Sequence, residues 1–129
     1  MLGTLIDLVL SIRQSAAELF IGGIYIVETW KTMELYPKYQ VSTEGKIRNT
    51  ETHQIYAQWL GKDGYLRMEM WLDGKKKGML VHRMVTLCYL ENPLNLPEVN
   101  HKNKIKSDNR VENLEWVTRQ EIWTIVMRT

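Results

Sequence analysis

The sequence predicts an α+β fold built from small antiparallel β hairpins and short helices. Three observations carry that reading. From residue 30 onward, short apolar or alternating runs are separated by glycine-bearing turns. Met84, Val85, Leu87 and Cys88 form an apolar helical face that stops at Asn92-Pro93. Two further short runs bracket His101 and Asn113, so a hairpin there brings an imidazole and an amide close together from distant positions.

The first segment reads differently from the rest. Leu2, Leu5, Ile6, Leu8, Val9, Ile12, Ala16 and Leu19 recur with a helical period, which predicts an amphipathic helix over residues 1–20. Asp7, Arg13 and Glu18 interrupt it, and it is too short to span a bilayer. It also lacks the basic start of a secretory signal. A competing expectation makes residues 1–26 a leader outside the native protein. The codons available for residues 21–27 include a bacterial ribosome-binding sequence followed by the start codon GTG at Val27. Without Asp7, Arg13 and Glu18, basic residues fall from 17 to 16 and acidic ones to 13, which raises the net charge from +2 to +3.

Residues 39–42 and 46–49 read as a hairpin turned at Thr43-Glu44-Gly45, with Lys46 and Arg48 on the returning strand. Residues 55–60 form a strand, 61–64 a turn and 65–72 a strand. In that last strand Leu66, Met68, Met70 and Leu72 share one face, while Tyr65, Arg67, Glu69 and Trp71 share the other. Residues 73–78 read as another turn, which exposes Lys75, Lys76 and Lys77 to solvent or to phosphates. A helix over residues 83–90 follows.

A length of 129 residues bounds the chain to one domain, or one domain plus a small module. A net charge of +2 is not strongly basic, so nucleic-acid binding has to rest on local patches. The single cysteine, Cys88, excludes an internal disulfide and any multi-cysteine zinc site. Its apolar neighbours make it a small core residue.

Residues 81–118 read VHRMVTLCYLENPLNLPEVNHKNKIKSDNRVENLEWVT. The VHR, NP, VNH and DNRVENLEWVT segments, at this spacing, resemble the HNH nucleases, in particular the small intron and phage homing endonucleases. Residues 30–49, through Trp30, Tyr36, Tyr39, Val41, Ser42, Gly45, Lys46, Ile47 and Arg48, resemble the nuclease-associated modular motif that helps such proteins bind DNA. The resemblance implies a ββα-metal (His-Me finger) core over residues 79–129, preceded by a modular DNA-binding region over 27–78.

The resemblance also assigns roles. His101 is the expected general base, which an imidazole can serve near neutral pH. Asn100 is the expected ligand of Mg²⁺ or Mn²⁺, through a neutral oxygen that holds such ions more weakly than a carboxylate. Asn113 braces the loop behind the imidazole. Arg83, Lys102, Lys104, Lys106 and Arg110 are expected beside the DNA backbone, while His82 supports the site. The implied partner is double-stranded DNA, with no membrane, in the bacterial cytoplasm and a phage or mobile-element setting.

The departure comes at Ile122, where relatives carry a second metal-ligating Asn. One inserted base after the Glu121 codon permits a reading with Asn at 122 and His at 125, which suggests a frameshifted end. Two functions are therefore expected, a metal-dependent DNA endonuclease or a catalytically impaired DNA-binding relic of one, beside a third reading as an interaction module whose N-terminal helix binds a partner.

Overall fold

The computed structural model describes residues 17–21 and 24–127. Four antiparallel units follow one another along the chain. Strands β1 (Ala17–Ile21) and β2 (Ile24–Glu28) form a hairpin in which Ile21 faces Ile24. The helix expected over residues 1–20 is corrected in its last part, since residues 17–20 lie in β1, and its remainder falls outside the described residues. Leu-Phe-Ile and Ile-Tyr-Ile-Val flank a Gly-Gly pair, and β-branched and aromatic residues around two glycines favour a two-residue hairpin.

Strands β3 (Trp30–Thr32), β4 (Tyr39–Ser42) and β5 (Ile47–Asn49) form a three-stranded sheet in that order. The expected turn at Thr43-Glu44-Gly45 joins β4 to β5, and Gly45 supplies the positive φ of +86°. A second sheet contains β6 (Trp59–Leu60), β7 (Leu66–Leu72) and β8 (Lys75–Leu80). The strand expected over 55–60 shrinks to β6, while Ile55 makes only an isolated bridge to Arg48. The expected alternation in β7 holds: Met68 and Met70 are fully buried, whereas Glu69 and Trp71 are exposed.

The lysine triplet belongs to a strand, not to a turn. Asp73 and Gly74 alone reverse the chain, with φ of +52° and +75°, and Leu72 pairs with Lys75. Positive φ at both central residues is the hairpin geometry that matches strand twist, and Asp-Gly is a favoured pair for it.

Helix α1 (Val81–Tyr89) begins two residues before the expected start and packs on both three-stranded sheets. It also touches the final hairpin, β9 (Glu98–His101) with β10 (Leu114–Val117). One core results, in which Val81, Met84 and Val85 of α1 join Val41 and Ile47, Met68 and Met70, and Val99 and Leu114. Cys88 lies in the same core. The chain closes with α2 (Arg119–Met127), which lies against β9. Its start is fixed by a reciprocal cap. Glu121 N donates to Thr118 Oγ1 at 3.0 Å, and Thr118 N donates to Glu121 Oε2 at 3.2 Å.

The two three-stranded sheets are tied by one buried hydroxyl. Trp71 N donates to Tyr39 Oη at 2.8 Å, and Tyr39 is otherwise enclosed in the core. Tyr39→Phe leaves that amide unpaired, so stability is expected to fall by about 1–2 kcal/mol. Urea denaturation checks this: the midpoint drops while the slope stays constant.

Candidate active site

Strand β9 carries Asn100 and His101, and β10 returns beside it with Glu115 opposite Asn100 and Leu114 opposite His101. Between the strands runs a loop, residues 102–113, with many internal bonds. Asn113 is 5% exposed and saturates its amide there. Its Oδ1 accepts from Asn103 N at 3.0 Å, and its Nδ2 donates to Asn103 Oδ1 at 2.9 Å and to the Asp108 carbonyl at 2.8 Å. Lys102 N closes the base of the loop on the Asn113 carbonyl at 2.8 Å. A buried amide with every group engaged defines one loop conformation, because any other leaves polar atoms unpaired.

Asp108 adds an anchor of charge. Its carboxylate accepts from Arg110 Nε at 2.8 Å and Nη2 at 2.7 Å, and from Asn103 Nδ2 at 2.6 Å. The Arg110 guanidinium is the main reason its carboxyl is held down at about 2.

The loop presents one side chain to the imidazole, and it is not Asn113. Asn109, 4% exposed, sets its Oδ1 2.8 Å from His101 Nε2. With that oxygen as acceptor, Nε2 carries the proton and Nδ1 keeps its lone pair. By residue type alone, Asp108 and Asn109 are ordinary turn formers. Only the folded loop reveals that one orients the ring and the other ties the loop. His101 is buried, and this burial is the main cause that lowers its pKa, while the bond to Asn109 opposes the shift.

Two more rings enclose His101. Tyr65 lies with its centroid 5.9 Å away and His82 with its centroid 5.2 Å away, and those two are 5.0 Å apart. His82 is 5% exposed, and its Nδ1 has no partner. Burial pushes its pKa down to about 4, with the neighbouring His101 as the next cause. It is therefore a neutral wall at physiological pH.

Tyr65, Val99, Asn100, His101, Lys104, Lys106, Ile122 and Ile125 line a cavity of about 400 Å³. Lys104 holds a left-handed backbone, φ +66°, and its N donates to the His101 carbonyl at 2.9 Å. Lys106 Nζ donates to the Asp63 carbonyl at 3.0 Å and sits 5.0 Å from the Tyr65 ring centre.

The other cations expected at DNA divide into two groups. Arg83 donates to the Pro97 carbonyl and faces Glu98 at 3.4 Å, and Arg110 also faces Glu112. Lys46 approaches Glu28 at 3.5 Å, while Arg48 bonds Gln40 and lies 4.1 Å from the Trp30 ring centre. Lys76 approaches Glu69 at 3.8 Å and lies 5.3 Å from the Trp71 ring centre. No ion pair holds Lys75, Lys77, Lys102 or Lys104 among the described residues.

The donor set does not suit a divalent ion. Asn100 Nδ2 donates to Glu115 Oε1 at 2.8 Å, which leaves the neutral Oδ1 as the side-chain atom that could ligate a cation. Ile122 and Ile125 line the same cavity, and their side chains offer no oxygen at all. Among the described residues there is no cluster of three or more His, Cys, Asp or Glu. Mg²⁺ gives up its water reluctantly, so a single neutral amide oxygen is a poor holding site.

Comparison with known proteins agrees with this architecture. Residues 80–122 match the HNH endonuclease profile, and residues 28–71 match the NUMOD4 motif. A solved structure titled "DNA binding and cleavage by the HNH homing endonuclease I-HmuI" superposes with a TM-score of 0.68 at 32% identity, covering 77% of this chain and 57% of that one. Residues 80–122 belong to the HNH endonuclease family. DNA endonuclease I-HmuI of Bacillus phage SP01 is 34% identical over 92 residues, 70% of this chain and 53% of the relative. An uncharacterized HNH endonuclease of Acanthamoeba polyphaga mimivirus is 39% identical over 101 residues, 73% of this chain and 25% of the relative. The chain thus spans between a quarter and about half of the length of these relatives. No described helix is long and apolar enough to cross a membrane.

The buried His82 has a measurable consequence. Its folded value of about 4 lies below the ordinary 6.5, so the unfolded chain gains a proton in that window and the folded chain does not. Stability is expected to be insensitive to His82 above pH 7 and to fall by up to about 3 kcal/mol as pH drops from 6.5 to 4. His101 adds in the same direction. Urea unfolding at successive pH values reads the slope, and His82→Gln is expected to flatten it.

Proposed function

We propose that this chain engages double-stranded DNA and presents His101 as the general base for attack of water on a phosphodiester bond. The observation that carries the reading is the His101–Asn109 bond at the wall of a lysine-lined cavity. With its proton fixed on Nε2, His101 offers Nδ1 as the atom that takes the proton of the attacking water. Lys104 and Lys106 place positive charge where the phosphate oxygens would lie. Asn113 holds the loop that keeps these groups together. Residues 27–78 act as the DNA-binding region, with Lys46, Arg48 and the β8 lysines as backbone contacts, and residues 79–129 act as the cleavage core. Residues 1–26 are assigned to neither region.

A second reading has a specific observation behind it. Ile122, at the position where the resemblance puts a second metal-ligating Asn, lines the cavity with Ile125 and offers no oxygen to Mg²⁺ or Mn²⁺, which favours DNA binding with impaired cleavage. Supercoiled-plasmid nicking in Mg²⁺ or Mn²⁺ separates the two. For a nuclease, the chain nicks, and His101→Ala lowers the rate by about 10²-fold or more. For the impaired form, nicking is absent and appears with Ile122→Asn, while DNA affinity at low salt is the same in both. Absence of DNA binding at low salt by the unaltered chain defeats both readings.

A further inference from the structure

The β4–β5 turn of the DNA-binding region lies against the loop of the cleavage core. Gly45 is the contact point. A Cβ on it would meet Asn109 Cβ at 2.9 Å and the Asn109 carbonyl oxygen at 2.9 Å, closer than real side chains approach. Beside it, Val111 N donates to the Thr43 carbonyl at 2.9 Å. Gln58 Nε2 holds the Gly45 carbonyl at 2.9 Å from behind. Ser42, fully buried, accepts from Glu44 N at 3.2 Å and Lys46 N at 3.0 Å through its Oγ, so the turn itself is stiff. Asn109 is therefore caught between a rigid turn on one side and the imidazole on the other, and its amide nitrogen has no partner of its own. Nothing but packing and the imidazole sets where its oxygen points.

We propose that Gly45 is a positioning residue for His101: the turn of the DNA-binding region backs Asn109 and thereby fixes the imidazole tautomer. Lacking a side chain, Gly45 lets the turn close on Asn109, and that closure holds the amide oxygen against Nε2. The DNA-binding region is thus part of the machinery that prepares the base as well as a tether. The proposal rests on the assignment of His101 as the base, but the wiring it describes exists whether or not the chain cleaves DNA.

The test reads the imidazole itself, without DNA or metal. Long-range ¹⁵N–¹H correlation of the His101 ring, at about pH 8, where imidazoles are ordinarily neutral, distinguishes the two tautomers. The unaltered chain is expected to show a single Nε2–H form. Asn109→Ala is expected to lose that preference and show mixed nitrogen shifts. Gly45→Ala is expected to move in the same direction. Gly74→Ala is the control, because Gly74 has a similar φ of +75° but nothing within 4 Å of a new Cβ, so it imposes the backbone strain without the push. It is expected to leave the His101 pattern unchanged. If Gly45→Ala does not fold, Gln58→Ala frees the same carbonyl without adding an atom and is expected to blur the preference. An Nδ1–H form in the unaltered chain overturns the proposal. So does an unchanged pattern in Asn109→Ala, or in whichever of Gly45→Ala and Gln58→Ala is folded. Plasmid nicking is scored separately: loss of nicking with an intact tautomer pattern refutes the nuclease reading alone.

Discussion

The site depends on an amide that has nowhere else to go. Asn113 is buried with both donors and its acceptor engaged inside the loop between β9 and β10. Any other loop path strands those atoms without water, at about 1–3 kcal/mol for each unpaired group. That penalty turns a polar, lysine-rich segment into a defined scaffold. The Asp108–Arg110 pair and the Asn109–His101 bond are both built on it. The imidazole of His101 is placed by the loop, and the loop by an interior it cannot leave unsatisfied.

Much of this was legible in the sequence because local chemistry and fold agree. The Gly45 turn, the β7 alternation, the α1 face and the apolar runs around His101 and Asn113 each follow a period or a turn rule. The errors have physical causes. Over residues 17–20, helical and strand patterns overlap for a short apolar run, and the Gly-Gly that follows was the stronger signal. At residues 73–78, two glycines and three lysines suggested a long turn, while Asp73-Gly74 was enough to reverse the chain. A Thr118-x-x-Glu121 cap was present in the sequence and locates the start of α2, yet it is a short motif easily passed over.

Asn109 belongs to a different class. Nothing in composition or spacing separates it from Asn103 or Asn113, since all three are asparagines on one polar loop. Its role emerges when the loop closes and the Gly45 turn arrives from more than sixty residues earlier in the chain. The converse holds at residue 122. The absence of a donor oxygen there was visible from residue type alone, and the fold shows where the apolar side chain goes, into the cavity beside Asn100. Sequence tells which atoms exist at a position; only packing tells which of them meet.

The strand character of the β8 lysines carries one more consequence. β8 is the outer strand of its sheet, with an open row of backbone donors and acceptors. Such an edge invites a further strand from another molecule, and charge along it is a common defence. Lys75, Lys76 and Lys77, all exposed, repel an identical edge whether or not nucleic acid is near. Neutralising these three ammonium groups would therefore remove a guard against edge-to-edge aggregation, so solubility rests on them independently of any ligand.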